Sequence, residues 1–110
     1  MDTKAALDSL SALAQPTRLE AFRLLVKAGA EGMPAGTLAE TLGAMPNTLS
    51  THLGILTRAG LAVASREGRV IRYTAQMDGM RDLLAYLMED CCNGNPDICN
   101  PLIETITCSC

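Results

Sequence analysis

The chain has 110 residues, 48% of them hydrophobic, which suits one compact domain with a real core built from Leu, Ala, Val, Ile and Met, since Phe22, Tyr73 and Tyr86 are its three aromatics. A formal net charge of −3 excludes a uniformly basic nucleic-acid binder. With no early segment patterned as a signal peptide and no run of about 18 apolar residues to span a bilayer, a cytoplasmic location without a membrane partner is the expectation.

The charge is unevenly spread. Residues 1–75 carry eight Lys and Arg against six Asp and Glu, a net +2, whereas residues 76–110 carry Arg81 against six carboxylates, a net −5. Arg58, Arg66, Arg69 and Arg72 concentrate basic charge in one stretch, a local patch on an otherwise acidic chain. All five cysteines, Cys91, Cys92, Cys99, Cys108 and Cys110, fall in the last twenty residues. In a reducing compartment they are expected as thiols or metal ligands rather than structural disulfides.

In chain order, Asp2 or Thr3 can cap a first helix running to about Ala14, with Leu7, Leu10, Leu13 and Ala14 on one face. Pro16 suits the first turn of a second helix to about Ala28, whose apolar stripe is Leu19, Phe22, Leu25 and Val26, and Gly29 stops it. A third helix spans about Ala35 to Leu42, with Leu38, Ala39 and Leu42 inward and Gly43 opening a tight turn. A fourth helix begins at Pro46 or Asn47 and ends near Ala59 before Gly60. Its Leu49, Leu53 and Leu56 share a core face, leaving Asn47, Thr48, Thr51 and His52 mostly on other faces. Residues 61–66 and 70–75 read as two short strands around the turn Glu67-Gly68-Arg69, a β-hairpin.

A fifth helix spans about Asp78 to Asp90. Its Met77, Met80, Leu84, Leu87 and Cys91 repeat at alternating three and four, flanked by Leu83 and Met88, a stripe wide enough to imply a partner helix. From Asn93, the pairs Asn-Gly and Asn-Pro are turn signals. The chain therefore divides into a folded unit over 1–92 and a cysteine-rich tail over 93–110.

A short helix, a glycine-closed turn and a longer polar-faced helix make a helix-turn-helix, and the following hairpin makes it winged. The fold class is α+β, mostly α, with five helices and a hairpin wing. The second helix of such a motif must offer short polar side chains to base edges, which Asn47, Thr48, Ser50, Thr51 and His52 can do. Arg66, Arg69 and Arg72 can reach phosphates or an adjacent minor groove. Each of these residues alone also reads as a solvated surface; it is their order along the chain that points to double-stranded DNA. His52 is open to three roles: a base contact, a phosphate contact or a partner in a buried contact.

The stretch Ala12-Leu13-Ala14-Gln15-Pro16-Thr17-Arg18-Leu19 resembles the opening signature of the ArsR/SmtB family, Thr48 through Leu56 resembles its recognition helix, and Gly60-Leu61 with Arg66-Glu67-Gly68-Arg69 and Tyr73 resembles its wing. The resemblance covers residues 5 to 90. It implies a homodimer joined through the first and fifth helices, and a repressor, not an enzyme, that leaves its operator when a metal or metalloid binds.

Two features depart from that family's pattern. Arsenic- and cadmium-sensing members carry Cys-x-Cys in the third helix, whereas residues 32–38 here hold no cysteine. Zinc-sensing members carry Asp and His in the fifth helix, whereas Asp82, Glu89 and Asp90 here have no histidine beside them. The candidate ligands lie at the end of the chain instead. Adjacent helical residues point about 100° apart, so packing accounts for at most one of Cys91 and Cys92. The turn-rich Asn93-Gly94-Asn95-Pro96 can bring Cys99 towards them. Three thiolates suit a soft ion, and trivalent arsenic or antimony takes three sulfurs in a pyramid. A subset of the family binds arsenite through a vicinal Cys-Cys and a third cysteine shortly after, an arrangement that Cys91, Cys92 and Cys99 match, so the resemblance implies As(III) or Sb(III) as inducer.

Other readings stay open. Cys108 and Cys110 could hold a second ion, hand one over or do neither. A four-sulfur zinc site recruiting one of them, thiol oxidation, and a thiol-based metallochaperone are the alternatives. The last is disfavoured by the lack of a Cys-x-x-Cys motif.

Overall fold

The computed structural model describes residues 1–89. Five helices and a three-stranded antiparallel sheet follow in the order α1 (Thr3–Leu13), α2 (Pro16–Ala28), a 3-10 turn (Gly29–Glu31), β1 (Met33–Pro34), α3 (Ala35–Leu42), α4 (Pro46–Arg58), β2 (Ala62–Glu67), β3 (Val70–Ala75) and α5 (Met77–Leu87). The sheet order is β1-β3-β2, with Met33 opposite Tyr73 and Ala64 opposite Tyr73 on the other side.

Local chemistry sets these boundaries. The Asp2 carboxylate accepts from the Ala5 amide and starts α1. The Gln15 side chain accepts from the Arg18 amide, and Pro16 opens α2 where a missing N–H costs nothing. Gly43 closes α3 with φ 63° and ψ 31°, the left-handed conformation that lets the chain reverse in three residues into Pro46. Gly79, in the first turns of α5, packs so close to the Gly60 carbonyl that a side chain there would overlap it. That contact docks α5 onto the corner between α4 and β2.

The core joins Phe22 and Leu25 of α2, Leu38 and Ala39 of α3, and Leu49, Leu53 and Leu56 of α4 to Leu61, Ala62 and Tyr73 of the hairpin, with Ala12 sealing one end. Every expected inward residue of α3 and α4 is buried or, for Leu42, packed against this cluster.

Two helices turn a different face inward from the one their leucines mark. In α1 the buried residues are Ala6, Ser9 and Ala12, while Leu7 and Leu10 are 59% and 39% exposed. Small side chains allow close approach to α4, and Ser9 Oγ donates to the Ala59 carbonyl at 3.5 Å. In α5 only Leu83 is fully buried; Met77, Leu84 and Leu87 of the expected stripe are exposed, and Met80 alone of that stripe packs partly against the core. In α2, Ala21 replaces Leu19 and Val26 in the buried set, and those two are exposed. The last helical residue of α5 is Leu87, short of Asp90, and Cys91 of the stripe lies outside the described residues, as does the expected boundary between residues 92 and 93.

The 3-10 turn and β1 are additions to the sequence-based expectation. Two residues carry no periodicity, and Met33-Pro34 becomes a strand only because β3 offers it an edge. The hairpin turn is tighter than expected: Glu67 pairs with Val70, leaving Gly68 and Arg69 as its two residues.

Candidate nucleic-acid interface

At 100° per residue, the three buried leucines of α4 fix the direction of the core, and Asn47, Thr51, Gly54 and Arg58 point roughly the opposite way. Thr48 and Ser50 flank this outer face on either side, and all of Asn47, Thr48, Ser50 and Thr51 are exposed. Their reach is short. The Thr51 hydroxyl donates back to the Asn47 carbonyl at 3.3 Å. A helix carrying such side chains can enter a major groove without steric conflict, and the side chains can donate to or accept from base edges.

His52 stands apart from this set. It is half-buried on the flank nearest the core, and its Nδ1 lies 3.1 Å from an Arg18 guanidinium nitrogen. Of its three readings, the structure shows the internal contact, made through Nδ1.

Arg58, which the sequence marks only as one end of the basic stretch, joins this surface. It is exposed on the same face as Asn47 and Thr51, and its guanidinium lies back over Gly54, 3.4 Å from where a side chain there would begin. The signal was available: Asn47, Thr51, Gly54 and Arg58 recur at helical spacing.

The wing separates its arginines. Antiparallel partners share a face of the ribbon. Arg66 pairs with Ile71 on the face that Ala62 and Tyr73 bury in the core, whereas Ser65 and Arg72 lie on the other face with Glu67 and Val70. Arg66 and Arg69 are exposed, and Arg69 occupies the turn. Arg72 is committed elsewhere: its Nε lies 3.3 Å from the Glu67 carboxylate and one terminal nitrogen donates to the Glu31 carbonyl at 3.1 Å. It ties the 3-10 turn to the hairpin. Of the expected trio, Arg66 and Arg69 are exposed, and Arg72 also supports the hairpin.

A second candidate surface lies on the terminal helices. Leu7 and Leu10 of α1 and Leu84 and Leu87 of α5 are exposed apolar side chains, and Thr3 Oγ1 and the Tyr86 hydroxyl, 2.6 Å apart, join the two helices. Among the described residues, no three His, Cys, Asp or Glu side chains are grouped to hold a metal ion, and no helix is long and apolar enough to cross a membrane. The candidate ligands Cys91, Cys92, Cys99, Cys108 and Cys110 all lie outside the described residues.

Residues 13–66 match a helix-turn-helix domain family, a span that runs from the end of α1 to the first wing strand. Among curated proteins the sequence finds no significant match. Among solved structures, the chain is similar to NolR from Sinorhizobium fredii, at 32% identity over 78% of this chain and 83% of that one, with a TM-score of 0.62. It is similar to a possible transcriptional regulator for arsenical resistance, at 30% identity over 74% of this chain and 82% of the other, with a TM-score of 0.66. It also resembles the homodimeric winged helix-turn-helix DNA-binding domain of Mb0332 from Mycobacterium bovis, a possible ArsR-family regulator, at 28% identity over 82% of this chain and 88% of that domain, with a TM-score of 0.61.

Proposed function

The chain belongs to the ArsR family of winged helix-turn-helix transcriptional regulators, and from that premise we propose that it is a homodimeric repressor of an arsenic-resistance operon, released from its operator when trivalent arsenic or antimony binds Cys91, Cys92 and Cys99. DNA binding by α4 and the wing is the family's activity. The inducer is the reading specific to this chain.

The observation that carries it is that three cysteines follow, in the sequence, the helix α5, which leaves Leu84 and Leu87 uncovered. Leu7, Leu10, Leu84 and Leu87 are the natural contacts of a second copy, and the homodimeric relative supports that assembly. The soft, three-coordinate chemistry of As(III) fits three thiolates and needs no fourth ligand. The similarity to a possible regulator of arsenical resistance supports the same inducer. Metalloid binding would draw Cys99 onto the end of α5 and shift the dimer contacts there. Those contacts set the spacing of two recognition helices, which must match half-sites one helical turn apart. A coupling of about 1–3 kcal/mol suffices for release.

Arsenite titration of the reduced protein, followed by the near-ultraviolet absorbance of arsenic–thiolate bonds, tests the site. One equivalent per chain is expected. Cys92→Ser should abolish the signal and keep DNA binding; a normal signal in Cys92→Ser would put the site elsewhere.

A further inference from the structure

Arg18, in the first turn of α2, is half-buried, and its guanidinium serves three acceptors on two other helices. Its Nε donates to the Ala12 carbonyl at 2.7 Å, one terminal nitrogen donates to the Ser11 carbonyl at 3.4 Å, and the other lies 3.1 Å from Nδ1 of His52. Ser11 and Ala12 are among the last residues of α1, where carbonyls gather the helix's negative partial charge; the Ser11 carbonyl also accepts from the Ala14 amide at 3.2 Å. A cation with five donors fits that end of α1 and has donors left for α4.

A guanidinium offers no acceptor, so Nδ1 of His52 must be the acceptor, and the ring is then the neutral tautomer with its proton on Nε2. His52 makes no other hydrogen bond among the described residues, and no buried side-chain nitrogen or oxygen there lacks a partner. Among the described residues Nε2 has no partner, and it lies on the flank of α4 one turn from Thr48.

We propose that Arg18 is a positioning residue for DNA binding. It holds the His52 ring in one orientation and one tautomer, so that the recognition helix presents an Nε2–H donor that pairs with an acceptor on the duplex. This rests on α4 being the recognition helix. The acceptor is a phosphate oxygen or a base-edge atom such as N7 or O6 of guanine or O4 of thymine. The guanidinium also grips α1, so α1 and the ring move together.

His52 is the only histidine in the chain, so its ring nitrogens can be read without ambiguity in 15N-labelled full-length protein. In reduced wild-type protein at pH 8.5, Nδ1 should resonate as an unprotonated nitrogen and Nε2 as a protonated one. In Arg18→Met the two resonances should move towards each other as the tautomers average. Affinity for a duplex selected by the wild type should fall about tenfold, the size of one good hydrogen-bonded contact. Arg18→Lys, which keeps a donor for Nδ1, should restore much of it. His52→Gln, whose amide nitrogen sits near Nε2, should bind more tightly than His52→Asn, whose amide nitrogen sits near Nδ1; this pair tests the donor without touching Arg18. An equal loss on every single-base variant of the duplex assigns the acceptor to a phosphate, and a loss that vanishes at one base pair assigns it to that base. Unchanged ring resonances in Arg18→Met, or moved resonances with wild-type affinity, would overturn the proposal. A wild-type protein with the locked ring that binds no duplex would instead overturn the DNA reading, and the positioning role with it.

Discussion

The outer face of α4 and the outer faces of α1 and α5 are both exposed, and they are built on opposite rules. Along α4, Asn47, Thr48, Ser50 and Thr51 are short and polar, and the leucines are all inside. Along α1 and α5, the small residues Ala6, Ser9 and Ala12 and the single Leu83 are inside, and Leu7, Leu10, Leu84 and Leu87 remain outside. A polar exposed face is complete in water and can meet a polar groove. An apolar exposed face on a small domain is incomplete until something covers it. The contrast separates a surface suited to a polar groove from one suited to a second copy.

That contrast can be broken most forcefully at the apolar face. Leu10→Asp combined with Leu84→Asp should leave the fold intact, because neither residue is buried, yet yield a monomer in sedimentation. Losing the second half-site contact should weaken DNA binding by about 10²–10⁴-fold. A folded dimer in that variant would remove α1 and α5 from the interface. At the polar face, Thr51→Ala or Asn47→Ala should cost about 1–3 kcal/mol of discrimination between operator and mismatched duplex. Circular dichroism and melting should be nearly unchanged, since both residues are exposed.

The wing sharpens the comparison within a single hairpin. Arg69→Ala should lower affinity similarly across sequences and reduce the salt dependence of log K by about one ion. Arg72→Ala should lower the melting temperature by a few degrees through loss of the Glu67 and Glu31 contacts, and should leave the salt slope unchanged. Ser9→Ala should have the smallest effect, well under 1 kcal/mol in denaturant unfolding, because its bond to the Ala59 carbonyl is long.

Much of the fold was legible in the sequence where punctuation is strong. Pro16 and Gly29 bound α2, Gly43 and Pro46 bracket the helix-turn-helix reversal, and Gly60 and Gly68 frame the first wing strand. The inward faces of α3 and α4 followed from leucine spacing because each of those helices has a single apolar face. The same reasoning misplaced the faces of α1 and α5. Each of these helices has two, a small-residue face for its own core and a leucine face for another surface, and periodicity alone marks the larger side chains. The strand β1 was not legible, since it exists through its pairing with β3 rather than through any pattern in Met33 and Pro34. The Arg18–His52 contact spans 34 positions and has no local signature. Arg58 is legible as basic charge, and its spacing of four from Gly54 and seven from Thr51 puts it on the outer face of α4.

The most direct test of the account is fluorescence anisotropy of operator DNA bound by the reduced full-length protein, titrated separately with arsenite, zinc and peroxide. Release by arsenite, lost when Cys91, Cys92 or Cys99 is changed to Ser, is the predicted result. Tight binding that arsenite leaves untouched while zinc or peroxide releases it would contradict the metalloid assignment and make the same cysteines a zinc or redox sensor.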